Sequence, residues 1–251
     1  MGKDRYRRQD QGARLIDNSN NKDRPRLKDA GAFFGRRKGK ALRSGQANLF
    51  ETLLPQIRVS LDAVVDPAAC FERKNFKAIW LEIGFGGGEH LLSLARAHPE
   101  IGFIGCEPFV NGMAKMLSAI ANEKLDNIRV YDADALMLLK NLKPQSFERV
   151  YLLYPDPWPK RRQNKRRFVS DETLDLITRA LKPDGEFRFA SDIDHYVGWT
   201  LARILPRKDL VWQATIADDW RKPWAEWTRT RYEAKAIREG RTPSYLISRR
   251  A

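Results

Sequence analysis

The stretch Ala78-Ile79-Trp80-Leu81-Glu82-Ile83-Gly84-Phe85-Gly86-Gly87-Gly88 decides how the rest of this chain is read. Its first six residues read as a buried strand. The glycines behind it let the backbone turn sharply and approach a ligand without a Cβ in the way. A helix from about Glu89 to Ala97 follows. Ile101–Cys106 predicts a second strand ending at Glu107, then residues 111–121 a helix. Ile128–Tyr131 predicts a third strand leading to Asp132 and Asp134. Residues 147–154 form a fourth that stops at Pro155-Asp156-Pro157-Trp158-Pro159. A helix over 169–181, a turn at Gly185, a fifth strand over 186–190 ending at Ser191-Asp192, and a helix over 194–205 complete the pattern. Strands this apolar, alternating with helices, argue an α/β fold whose mainly parallel sheet is covered on both faces. Ligands of such sheets lie outside the carboxyl ends of the strands. That rule selects Glu82 with its glycine loop, Glu107, Asp134, Asp156 and Asp192. Asp132 is the near neighbour that competes with Asp134.

The glycine spacing excludes two familiar loops. A Walker-type phosphate loop requires Lys-Ser/Thr after its last glycine, and none is present. A dinucleotide fingerprint requires glycine at the sixth position from Gly84, where this chain has Glu89, repulsive to a pyrophosphate. A loop for a nucleoside-type cofactor without phosphate remains.

Of 251 residues, 46 are Lys or Arg and 32 Asp or Glu, a formal charge of +14. The excess is concentrated. Residues 1–45 hold 14 basic against 5 acidic residues, and residues 221–251 hold 9 against 3. In between, six basic residues crowd into positions 160–167 of an otherwise acidic body. Three basic grips on an acidic body suit a polyanionic partner. Cys70 and Cys106 supply no disulfide framework and no metal spacing. No apolar run reaches the ~20 residues of a membrane helix, and none opens the chain as a signal peptide would. A cytoplasmic protein without metal or membrane is expected, its oligomeric state left open between monomer and homodimer.

Residues 1–32 are expected to form a disordered basic tail, having too little apolar surface to offset ordering entropy. Residues 33–76 are expected to pack on the core. In them two aromatics, Phe33 and Phe34, abut a basic run, and a short helix is predicted from a capping Ser44 to a stop at Pro55. Residues 77–251 form the main domain. Within it the prolines around Asp156 and Trp158 stiffen a carboxylate and a flat ring at the mouth of the sheet; Trp158 either stacks on a base or fills the pocket floor. Behind them, Lys160, Arg161, Arg162, Lys165, Arg166 and Arg167 form a run without a negative charge, suited to a phosphate backbone. His90 and His98 read as structural or surface residues, and His195 is given no part in the chemistry. Residues 209–227, with Trp212, Trp220, Trp224 and Trp227, read as packing of the last strand and helix.

The pattern Glu82-x-Gly84-x-Gly86-x-Gly88 resembles the first motif of S-adenosylmethionine-dependent methyltransferases. Together with the segment from Pro155 to Lys160, Ser191-Asp192 and Thr230-Arg231-Tyr232-Glu233, it resembles the bacterial tRNA (guanine-N7)-methyltransferase family over about residues 33–240. The resemblance implies a Rossmann-like class I fold with a seven-stranded sheet, S-adenosyl-L-methionine as methyl donor and tRNA as acceptor, methylated at position 46 of the variable loop. It implies that Glu82, Gly84, Gly86, Glu107, Asp134 and Asp156 bind the cofactor and that Asp156 is the catalytic residue. Lys160, Asp192, Thr230, Arg231, Tyr232 and Glu233 would meet the substrate, and Arg161, Arg162, Lys165, Arg166 and Arg167 the RNA. Two departures stand out: Arg231, where many members have Lys, and the tail from Gly240 to Tyr245. Methylation of another RNA or DNA base, or a non-catalytic tRNA-binding module, are the competing readings.

Overall fold

Strand β1 (Ala78–Ile83) buries both faces, and each face belongs to a different core. Ile79, Leu81 and Ile83 enter one and Trp80 the other, as the two-residue period of a strand requires. Around it the computed structural model describes Gly35, residues 37–73 and residues 75–251. The expected tail over 1–32 and the aromatic pair at 33–34 lie outside those residues.

Before β1 come α1 (Ser44–Thr52) and α2 (Leu54–Ile57). After it follow α3 (Glu89–Ala97), β2 (Ile101–Cys106), α4 (Val110–Glu123), β3 (Ile128–Tyr131), α5 (Ala135–Asn141) and β4 (Phe147–Leu153). A 3-10 turn at Arg161–Arg166 leads to α6 (Asp171–Ala180), β5 (Leu181–Ser191) and α7 (Asp194–Ile204). The chain closes with β6 (Leu210–Trp212), α8 (Asp218–Arg221), α9 (Arg231–Arg238) and β7 (Ser244–Arg250). The sheet order is β3-β2-β1-β4-β5-β7-β6. The first five strands pair in parallel, and β7 runs antiparallel between β5 and β6. A mainly parallel seven-stranded sheet, with helices on both faces, is thus the architecture.

One core joins Ile104, Val150, Leu152, Phe187 and Phe189 of the sheet to Leu138 and Leu139 of α5, Leu174 and Ile177 of α6, and Tyr196 and Ile204 of α7. The other joins Phe103, Val130, Tyr151 and Leu153 to Leu91 and Leu94 of α3, Met113 and Met116 of α4, and Leu54 and Ile57 of α2. Trp224 and Trp227 pack partly buried on this second core. Each fully buried side chain of this size stabilises the fold by roughly 1.5–3 kcal/mol.

Three local expectations are corrected. Helix α5 lies where none was expected; Asp134 Oδ1 accepts from Leu136 N at 3.0 Å and caps it. Ser44 is the first residue of α1 instead of its cap, which is Arg43, with Gln46 Oε1 accepting from Arg43 N. Pro55 does not end a helix but stands in the first turn of α2, where its missing N–H costs nothing. Among the described residues, no helix is long and apolar enough to cross a membrane. Nor do three His, Cys, Asp or Glu side chains among them gather to hold a metal ion.

Candidate active site

Because β1 to β5 are parallel, their carboxyl ends share one edge of the sheet. There a cavity of about 590 Å³ opens, within the range usual for small-molecule sites. Glycines 84 and 86, Glu107, Asp134 and Asp156 line it, with Ile83, Phe109, Leu136, Leu153 and Phe168 as apolar walls. Trp158, Lys165, Arg166, Arg167 and Tyr232 also contribute.

The glycine loop is held from the next strand end. Gly84 N donates to Cys106 O at 2.7 Å. Glu107, at the end of β2, accepts from Gly86 N at 2.6 Å on one carboxylate oxygen and from Phe109 N at 2.8 Å on the other. Gly86 takes φ +57°, a conformation open to glycine at little cost. Helix α4 closes in behind: a Cβ on Gly112 would stand 2.2 Å from Gly86 O.

Burial pushes the carboxyls of Glu107, Asp134 and Asp156 above their ordinary values of 4.5, 3.8 and 3.8. Backbone N–H groups oppose that rise at Glu107 and Asp134 without cancelling it. A raised carboxyl lends stability that is present at low pH and lost as pH climbs through the raised value. A cationic ligand bound among the three relieves that loss. Its affinity should therefore grow as pH rises from the ordinary carboxylate range through the raised values. Calorimetric titrations at stepped pH would read this; an affinity flat across that window would contradict it.

Glu82 stands off the cavity wall. It is 3% exposed, and its Oε2 lies 2.7 Å from Nδ1 of the equally buried His90. The His90 ring is wedged against Tyr151 (4.9 Å between centroids) and Trp227 (5.3 Å). The pair ties the end of β1 to the first turn of α3 below the glycine loop. His90→Ala should strand a buried carboxylate, at a cost of about 3–5 kcal/mol, and lower Tm by roughly 10 °C for a chain of this size. A Tm within about 2 °C of wild type would show the pair to be dispensable.

Between the two competing aspartates, Asp134 lines the cavity, whereas Asp132 pairs with Arg58 Nε at 2.8 Å. Asp156 sits solvent-accessible at the mouth. Tyr154 and Trp158, on either side of it, take φ +49° and +41°, strain of roughly 1–3 kcal/mol each for residues with a side chain. Trp158 is on the cavity wall, with the Arg166 guanidinium 5.0 Å from its ring centroid.

The basic run divides. Lys160, Arg161, Arg162 and Lys165 are exposed. Arg167 is not a surface grip: it is buried, donates to Pro157 O at 2.8 Å, and lies 2.9 Å from His195 Nδ1. Asp192, away from the cavity wall, accepts from Arg241 Nε at 2.5 Å. Thr230 and Glu233 are buried away from the wall and Arg231 lies off it with its side chain exposed, leaving Tyr232 as the one residue of that motif on it. Phe109, Leu136 and Phe168 escaped the sequence reading. A large apolar residue two positions after a strand-end acid, as at Phe109 after Glu107 and Leu136 after Asp134, is the signal that could have found two of them.

A family model described as "Putative methyltransferase" matches residues 77–245. A tRNA (guanine-N(7)-)-methyltransferase of Chelativorans sp. (strain BNC1) is 54% identical over 86% of this chain and 93% of its own length. The chain belongs to the tRNA (guanine-N(7)-)-methyltransferase family. Another member, from Rhodopseudomonas palustris (strain HaA2), is 52% identical over 88% of this chain and 86% of its own. A solved structure of an antibiotic-related methyltransferase shares the fold, with a TM-score of 0.53 at 13% identity, over 77% of this chain and 95% of its own. Membership makes S-adenosyl-L-methionine the cofactor. The chemistry of the lining fits it: three carboxylates suit a ligand carrying a sulfonium and an ammonium, and Gly84 and Gly86 line the cavity with backbone alone, leaving room for a nucleoside.

Proposed function

We propose that this chain transfers the methyl group of S-adenosyl-L-methionine to N7 of a guanine in tRNA. The observation that carries the reading is the convergence of Glu107, Asp134 and Asp156, from the ends of β2, β3 and β4, on one cavity beside an exposed basic turn. The cofactor, when bound, supplies an activated methyl group attached to a sulfonium. Gly84, Gly86, Glu107 and Asp134 hold it: Glu107 keeps free lone pairs for ribose hydroxyls, and Asp134 can accept from an exocyclic amine. Glu82 acts from below through His90.

Guanine N7 bears an in-plane lone pair and no proton, so no general base is needed. What the reaction requires is placement and charge compensation. Asp156 at the mouth compensates the positive charge that develops on the purine. It also accepts from guanine N1–H and the 2-amino group, which adenine lacks in that arrangement. Lys160, Arg161, Arg162, Lys165 and Arg166 meet tRNA phosphates, with residues 33–76 and 77–251 acting together as the RNA-holding body. The reading carries with it a cytoplasmic enzyme working as monomer or homodimer.

Incubation of the protein with tRNA and S-adenosyl-L-methionine, then borohydride reduction and aniline, should cleave the product at a single guanine. Methyl incorporation without cleavage would move the target to another base atom and overturn the reading. Arg161→Ala and Arg162→Ala should each flatten the plot of log affinity for tRNA against log salt by about 0.7–0.9. A slope identical to wild type would take the phosphates away from this turn.

A further inference from the structure

The resemblance assigns Thr230, Arg231, Tyr232 and Glu233 to the RNA acceptor, yet their contacts lead toward the cofactor. Thr230 Oγ1 accepts from Glu233 N at 3.2 Å and caps α9. Glu233 is 3% exposed. One of its carboxylate oxygens accepts from Trp227 Nε1 at 2.8 Å and the other from Tyr245 Oη at 2.5 Å. A nucleotide has no route to a carboxylate so enclosed. Arg231 reaches the other way. Its Nε and Nη2 lie 2.8 and 2.7 Å from Glu89 Oε1, in the first turn of α3. Its guanidinium crosses the glycine loop so closely that a Cβ on Gly87 would stand 1.2 Å from Nη2. Of the four, Tyr232 lines the cavity, its ring 3.4 Å from where a Cβ on Gly86 would be.

We propose that Arg231 and Glu233 are positioning residues for the cofactor, seating Tyr232 against the glycine loop as a wall of the S-adenosyl-L-methionine pocket, and that neither contacts RNA. The proposal rests on the reading of this cavity as the cofactor site. Glu233 is the inner anchor. Its partner Trp227 packs on His90, which holds Glu82 at the end of β1. Its partner Tyr245 stands in β7 opposite Ala190 of β5. Arg231 is the outer latch on the helix that begins where the loop ends. The tyrosine between them is therefore referenced to the loop from both sides. A side chain at Gly87 would have to displace the Arg231 guanidinium from where it lies.

The test compares Arg231→Met, Tyr232→Ala, their double variant, Glu233→Gln and Glu233→Ala. S-adenosyl-L-methionine affinity is read by calorimetry and tRNA affinity by filter binding without cofactor. Arg231→Met and Tyr232→Ala should each weaken cofactor binding by about tenfold. The double variant should be no worse than either, as expected of groups acting as a unit. Affinity for tRNA should stay within about twofold in all of them. Glu233→Gln keeps an acceptor for Trp227 Nε1 and an amide donor for Tyr245 Oη, so it should restore the cofactor affinity that Glu233→Ala loses. Loss of tRNA affinity with cofactor binding intact, in Arg231→Met or Glu233→Gln, would overturn the proposal. So would additive effects in the double variant, or a glutamine variant as impaired as the alanine one. Should Glu233→Ala fail to fold, the variants at the half-exposed Arg231 and Tyr232 decide the matter. A wild-type protein that bound no S-adenosyl-L-methionine would sink the cofactor reading itself, a result distinct from all of these.

Discussion

Glu107→Gln should weaken S-adenosyl-L-methionine binding by about 100-fold, the largest effect expected of any single change on the cofactor side. The wild-type carboxylate accepts from Gly86 N and Phe109 N at once. A carboxamide offers one oxygen, so its NH₂ must face the other backbone donor inside a buried site. A buried donor left without an acceptor costs about 1–3 kcal/mol, and the loop that cradles the cofactor shifts to relieve it. The variant also removes a negative charge from the surroundings of a cationic ligand. Calorimetry with S-adenosyl-L-methionine and with the sulfonium-free product, S-adenosylhomocysteine, separates the two contributions. The sulfonium's share of the charge contribution appears only with the former, the loop contribution with both. A variant that bound both ligands like wild type would remove Glu107 from the site.

Asp156→Asn should leave tRNA affinity largely intact and, at saturating S-adenosyl-L-methionine, depress the single-turnover methylation rate by about 10²–10³-fold. That is the range seen when one preorganised electrostatic partner of a developing charge is lost. The asparagine preserves shape and an acceptor oxygen but cannot offset a cationic purine, and its NH₂ opposes guanine N1–H. Partial desolvation at the mouth raises the Asp156 carboxyl, a cost that a cation forming beside it offsets. A full single-turnover rate would show that compensation at the mouth is supplied by another group.

Much of the architecture was legible because it is written locally. Four of the first five strands were bounded within a residue, since an apolar run closed by Gly, Pro or Asp states its own ends. The fifth, β5, extends back through Lys182-Pro183-Asp184-Gly185 to Leu181, a stretch that reads as a turn until it pairs with β4 at Phe147. β7 was missed for a similar reason. Its Arg249 and Arg250 read as a basic tail until pairing sets Arg249 opposite Glu186. α5 was overlooked although its signal was present: a capping Asp134 ahead of Ala135-Leu136-Met137-Leu138-Leu139.

The sequence by itself determined the order of the first five strands and the acidic character of their ends. It also located the basic turn behind Pro159, because these features depend on neighbours along the chain. Only the tertiary structure decided which way each charged side chain is used. Glu82 and Glu107 end adjacent strands with the same chemistry; the first is buried against His90, and the second holds the glycine loop. Arg166 and Arg167 are consecutive, yet one lies over Trp158 on the cavity wall and the other is sealed beneath the Pro-Asp-Pro edge. A buried charge must find a partner, and the partner comes from whatever element packs opposite, often tens of residues away. Its identity is therefore a property of the packed fold and has no local signature.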